Sequence, residues 1–413
     1  MTERIYPGRM TRAHVTAWRN ALFVVFALSG IGIASWLARV PAVRDVLGAS
    51  TTEMGWLIFG LSAGSIVGLI AAGHVVATFG SRATMATGII AGAAGLVIAG
   101  LFVTVTVNFW LTFMGLAIFG VGMAACDVAM NVSGAANERV LGRTVMPIYH
   151  AFFSIGTMLG AAAGGLAELL GVPIGVHIGA VAVVMAVGAI IAVRYAGSEH
   201  VLGHEDDTPP TTTWRERLGV WRDRRTLLIG LIVLGMAFAE GSANDWLALA
   251  MVDGHGVDNA TGAFVFGIFV TAMTVGRLVG VRFLDRFGRV PVLRVSSVLA
   301  GIGLLLVILV PNPWVAGAGV VLWGLGSALG FPVGMSAAAD DPRSAAATVS
   351  AVAIVGYCAF LVGPPVIGFL GEQVGLLNAL LVVLVLIGVA GAVAPAAREP
   401  SRRPLDADAD ASN

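Results

Sequence analysis

Lysine does not occur in this 413-residue chain, and charge of either sign is scarce, at 12% of the residues. Soluble domains carry about 25% charged residues. A chain of this size with half that share cannot cover a water-facing surface, which excludes an ordinary soluble domain. The formal net charge of zero gives no electrostatic footing for a nucleic-acid or acidic partner. Cysteine is limited to Cys126 and Cys358, both inside apolar segments; they form no disulfide framework and read as packing residues. There is no Cys/His cluster with metal-ligand spacing, no phosphate-cradling Gly-x-x-x-x-Gly-Lys loop and no nucleophile–base spacing. No metal, cofactor, ATP-driven step or enzymatic activity is therefore expected.

What the chain does have is apolar length. Hydrophobic residues make up 57% and glycine contributes 55 residues, with a mean hydropathy of +0.90. Small residues at this density let helices approach closely in lipid. A bilayer core about 30 Å thick needs about 20 apolar residues in a helix. Twelve segments meet that length, at roughly 17–40, 53–76, 83–104, 109–133, 146–170, 174–195, 226–250, 261–282, 291–311, 314–337, 346–370 and 375–396. The first is too long for a signal-peptide core and reads as an uncleaved span. With the N-terminus in the cytoplasm, every arginine except Arg39, Arg44 and Arg277 falls on a cytoplasmic segment, so both termini are expected there.

Residues 196–225 read as a cytoplasmic linker. Pro209-Pro210 and a threonine run open it, and Trp214, Leu218 and Trp221 at i, i+4, i+7 suggest either a short interfacial helix or a plain charged loop. The tail 399–413, with its Asp-Ala repeats, reads as disordered. Segments 1–195 and 226–398 repeat weakly: the stretch from Gly55 to Arg82 resembles that from Ala263 to Arg289, each a span ending in a Phe-Gly turn. Such parallel repeats place a solute path between the halves near the midplane.

Over nearly its whole length the chain resembles the major facilitator superfamily. The most specific feature is Asp285-Arg286-Phe287-Gly288-Arg289, similar to that family's cytoplasmic motif, in which an aspartate and arginines latch helix ends when the inner gate is shut. The first-half copy keeps Gly80 and Arg82 but has Ala77 in place of the acid, which puts the charged latch in the second half. A second stretch, Cys126 to Thr157, with Asp127, Asn131, Glu138-Arg139, Leu141-Gly142-Arg143 and His150, resembles the MosC-like, rhizopine-associated bacterial branch. The resemblance implies an all-α membrane protein of twelve spans in two six-helix bundles, a monomer of the bacterial inner membrane without a cofactor, driven by the proton gradient.

Ionisable groups inside a bilayer are functional candidates by default. Asp127 and Asn131 share a helix face, and His150 enters the next span at similar depth. An Asp127–His150 pair reads either as a proton-coupling or substrate site or as a structural tie. Glu240 and Asn244 share a face of span seven, with Asp245 and Trp246 one turn outward. Glu240 must be protonated, paired or bathed in cavity water. Trp36 and Arg39 lie near the outer end of span one, where Arg39 is expected to pair with Asp245 or Glu240 and close the outer gate; tryptophans at that level also serve as anchors. Tyr357 in span eleven is a further lining candidate. The reading is a transporter of a small polar solute; a drug or metabolite exporter, a non-transporting sensor and a lipid-handling protein are the alternatives, the last requiring an apolar lateral opening.

Overall fold

The computed structural model describes residues 11–197, 219–341 and 344–399. The interfacial helix expected around Trp214 and Leu218 and the tail beyond 399 lie outside them, as do Arg4, Arg9, Arg402 and Arg403. The described residues are helical throughout and contain no strand. In chain order the helices are α1 (Arg12–Leu37), α2 (Val40–Leu47), α3 (Thr51–Thr104), α4 (Phe109–Leu141), α5 (Met146–Leu169), α6 (Ile174–Val193), α7 (Arg224–His255), α8 (Asn259–Phe287), α9 (Arg289–Leu309), α10 (Pro313–Ser327), α11 (Gly330–Ala338), α12 (Ala345–Val374), α13 (Leu376–Ala379) and α14 (Leu381–Val393).

Starts and stops follow local chemistry. Ser50 and Glu53 form a capping box at the head of α3. Asp223 accepts from the Thr226 amide at 2.8 Å, and Asp258 from the Thr261 amide at 2.7 Å. Those donors hold both carboxyls below the usual range: at Asp223 the Thr226 hydroxyl contributes most, at Asp258 the Thr261 amide. Between α4 and α5 the quoted Leu141-Gly142-Arg143 turn has a physical cause. Gly142 takes φ 63°, and Glu138 accepts from the Val145 and Met146 amides at 2.5 and 2.7 Å, satisfying donors at the start of α5.

Among the described residues eleven helices are long and apolar enough to cross a membrane. At 1.5 Å per residue the 54 residues of α3 extend about 80 Å, far more than a hydrocarbon core of about 30 Å. The helix breaks at Gly80, with φ 79° and ψ 159°. Gly288 adopts nearly the same backbone, φ 75° and ψ 175°, between α8 and α9. Only glycine adopts such angles without a Cβ clash, which explains why the Phe-Gly pair recurs in the sequence repeat.

Consecutive long helices run up and down, so the connections 38–50, 105–108, 170–173, 256–258, 310–312 and 375 gather at one end. That end holds Arg39 and Arg44 and is termed here the arginine-poor end; the opposite end carries Arg82, Arg139, Arg143, Arg194, Arg225, Arg286 and Arg289, among others. α1 packs on α5 and α3 on α4, while α3 with α12 and α5 with α8 join the helices before residue 198 to those after 219. Backbone contact needs glycine: a Cβ on Gly156 would collide with the Ala27 carbonyl oxygen and one on Gly30 with that of Phe153. Gly156→Ala should therefore cost about 1–3 kcal/mol and lower the melting temperature, whereas Gly179→Ala, with nothing within 4 Å of its Cβ, should leave it unchanged. Equal melting temperatures for the two variants would contradict this packing.

Candidate functional site

At mid-depth a cavity of about 260 Å³ lies between the two sets of helices, walled by α1, α3, α4, α7 and α12. Its polar groups are Ser62 and Ser65 from α3, Asp127 from α4, Asn244 and Asp245 from α7, and Tyr357 from α12; the rest is apolar, with Ile33, Leu61, Ile66 and Phe360 among the contributors. Four residues singled out from the sequence thus meet here: Asp127, Asn244, Asp245 and Tyr357. Asn131 supports Asp127 from the same helix face, its amide nitrogen donating to the Asp127 carbonyl at 2.9 Å and to its carboxylate at 3.3 Å. Tyr357 and Asp127, from opposite sets, lie within electrostatic reach of one another. Asp245 has no hydrogen bond or ion pair among the described residues.

Three expected contacts are not made. His150 does not pair with Asp127; its ring sits edge-on to Phe26 at 5.3 Å, within electrostatic reach of Arg277 on α8. Entering α5 only one turn from its start, the imidazole is carried toward the α5–α8 seam and away from the α4 face that bears Asp127. Arg39 reaches neither Asp245 nor Glu240. It is 3% exposed and bonds Glu168 at 3.1 Å and the Val172 carbonyl at 2.9 Å, because the turn after α1 directs it toward the end of α5. Trp36 and Trp246 are 1% and 0% exposed; they pack in the core and do not line the cavity. Glu240 is paired, as its position required: Arg277 donates to it at 2.9 Å, one turn from the cavity. Of the two cysteines, Cys126 is buried, but Cys358 is exposed rather than packed.

The arginine-rich end differs from the expected latch. Asp285 is exposed and has no partner among the described residues; Arg286 lies over the Phe287 ring at 5.2 Å. The acid that engages arginine is Asp340, bonded by Arg289 at 2.8 Å and by Arg225 at 2.6 Å. The backbone amide of Arg289 donates to Glu399 at 2.7 Å. In the first copy, Arg82 makes a long 3.4 Å bond to the Arg194 carbonyl. These contacts stay within one set of helices.

Contacts between the sets concentrate at the arginine-poor end. Arg44 pairs with Asp253, Asn259 donates to Asp45 at 2.8 Å, and the Thr52 amide donates to Glu372 at 3.3 Å. Beneath them α3 and α12 cross in backbone contact: a Cβ on Gly55 would lie 2.8 Å from the Pro364 carbonyl oxygen, and one on Gly368 2.8 Å from that of Thr51. Sequence reasoning missed this closure, although Arg44 was one of only two arginines at that end. It also missed Ser62 and Ser65, polar residues in an otherwise apolar run.

The family model described as Major Facilitator Superfamily matches residues 21–280 and 241–412. An uncharacterized transporter of Sinorhizobium fredii is 30% identical over 385 residues, covering 90% of this chain and 98% of the relative. The membrane protein MosC of Rhizobium meliloti is 27% identical over 367 residues, covering 88% and 86%. Among solved structures, a point mutant of the nucleoside transporter NupG superposes with a TM-score of 0.74 at 16% identity, covering 92% of this chain and 98% of that one, a likeness of fold.

Proposed function

This chain belongs to the major facilitator superfamily, and from that premise we propose that it is a proton-coupled secondary transporter that moves a small polar solute across the bacterial inner membrane by alternating access. The single observation that carries this reading is the cavity between the two sets of helices into which six polar side chains converge, capped at one end by the Arg44–Asp253 pair and the Gly55–Gly368 crossing. The break at Gly80 separates two crossings as Gly288 does, so eleven long helices amount to twelve spans in two six-helix bundles, 1–195 and 226–398, joined by 196–225. The arginine-rich end faces the cytoplasm by the positive-inside rule, which makes the capped end the outer one and the described conformation inward-facing.

Asp127 is the proton-coupling group of this reading. It faces the cavity, carries one hydrogen-bonding support from Asn131 and has no cationic partner among the described residues. Size bears on the alternatives. Pockets for drug-sized ligands span about 300–1,000 Å³, and a cavity of about 260 Å³ favours a smaller solute over a drug. One observation favours a second reading: an apolar groove of about 810 Å³ runs between α5, α8 and α10, lined by Leu159, Phe264, Ile268 and Leu325 among others. An apolar surface facing lipid is one feature that lipid handling requires. That reading ranks second because it leaves the carboxylates of the central cavity without a task.

Proteoliposomes fed a ¹³C-labelled extract of polar metabolites test the proposal, with accumulation read by mass spectrometry under an imposed pH gradient. One or a few small solutes should accumulate and be lost with a protonophore. Asp127→Asn should abolish gradient-driven accumulation yet leave counterflow. Accumulation of nothing, or unchanged driven uptake by Asp127→Asn, contradicts the proposal.

A further inference from the structure

The two carboxylates of the central cavity are not equivalent. Counted along their helices, Asp127 stands 18 residues from the arginine-poor start of α4 and Asp245 stands 10 residues from the arginine-poor end of α7. At 1.5 Å per residue these are depths of about 27 and 15 Å. The cavity is therefore elongated along the bundle, with Asp127 and Tyr357 in its deeper part and Asp245 nearer the closed end. Asp127 has Asn131 as a donor. Asp245 has no donor, and no cationic side chain among the described residues acts on either group. The arginines of the membrane interior are committed elsewhere, Arg277 to Glu240 and Arg39 to Glu168.

A carboxylate removed from bulk water is costly unless it is neutralised or paired. Every other acid singled out in the interior already has a protein partner. The remaining wall near Asp245 has two characters. Asn244 and Ser62 offer hydrogen-bonding groups, while Ile33, Leu37 and Phe360 offer apolar and aromatic surface. A bare metal ion would want a shell of six or more oxygens, which this half-apolar wall does not supply. A carbon skeleton bearing one ammonium group matches both characters, with an aromatic face available to the cation.

We propose that Asp245 is the counter-ion for a protonated amine on the transported solute, with the solute's carbon frame extending along the cavity toward Tyr357. This inference rests on the transporter reading above and narrows its substrate to small organic amines. It assigns the carboxylates different tasks, substrate charge at Asp245 and coupling proton at Asp127.

Thermal shift of the full-length detergent-purified protein at pH 7 provides the test, using matched pairs that differ in charge at one position: ethanolamine against ethylene glycol, glucosamine against glucose, and 1-amino-1-deoxysorbitol against sorbitol. A ligand of the folded state raises the melting temperature with its concentration. At least one amine should stabilise while its hydroxyl partner does not. Asp245→Asn should weaken that binding tenfold or more, and Asp245→Glu, which keeps the charge, should restore part of it and guards against misfolding of the first variant. Equal stabilisation by the neutral partners, undiminished amine binding by Asp245→Asn, or no shift with any amine overturns the inference. Driven accumulation of neutral solutes in the proteoliposome assay would leave the transporter reading standing while this inference fell; accumulation of nothing would fell the former by itself.

Discussion

Arg277→Ala should be strongly destabilising. It leaves Glu240 buried without its partner, and breaking a buried pair from one side costs about 3–5 kcal/mol. Because the Arg277 side chain is 37% exposed and that of Glu240 15%, solvent screening brings the cost below that range, to about 2–3 kcal/mol. Glu240→Gln should be milder, since it removes the acid and leaves an arginine that can reach water along its stem. The double change Glu240→Gln/Arg277→Ala should be more stable than Arg277→Ala alone. Melting temperatures of the four proteins form a double-mutant cycle. If the single effects simply add, the two side chains are not coupled and the pair has no energetic role.

The second large effect concerns the closed end. Arg44→Asp sets a new carboxylate against Asp45 and Asp253, where the structure has an arginine between them. A loss of about 1.4 kcal/mol on that side shifts the conformational equilibrium tenfold toward opening there. The swap Arg44→Asp/Asp253→Arg should recover most of it. Distances between spin labels at Val46 and Trp314, both exposed at that end, read the population in a background with Cys126→Ser and Cys358→Ser. The longer distance should gain weight in Arg44→Asp and lose it again in the swap. An unchanged distribution would mean that Arg44 and Asp253 merely touch, and that the backbone crossing at Gly55 and Gly368 closes this end without help from charge.

The contrast between what was read early and what was not follows from range. Span positions came from runs of apolar residues, and the repeat from the shared Phe-Gly turn, both signals confined to a few dozen consecutive residues. Even there the structure added a reason: Phe79-Gly80 and Phe287-Gly288 recur because the break needs φ near 79° and 75°. The expected Asp127–His150 and Arg39–Asp245 pairs failed for the converse reason. Depth along a helix can be counted from sequence, but the direction a side chain faces depends on how that helix is rotated and tilted against its neighbours. His150 and Asp127 match in depth yet point to different seams. Asp285 was chosen by motif, whereas Asp340, the acid that Arg225 and Arg289 engage, lies more than fifty residues further on.

By itself the sequence determined the solvent. With 12% charge and 57% hydrophobic residues, the backbone must satisfy its hydrogen bonds internally in lipid, and helices of spanning length follow. It set an arginine-rich end apart from an arginine-poor one, and it marked the interior acids because their cost in a bilayer is high wherever they point. Only the tertiary structure decided which of those acids share a cavity. Asp127 and Asp245, 118 positions apart in the numbering, became neighbours of one space because α4 and α7 face each other across it. Glu240, five residues before Asp245, was assigned instead to Arg277, which α8 presents to it from within the same set of helices.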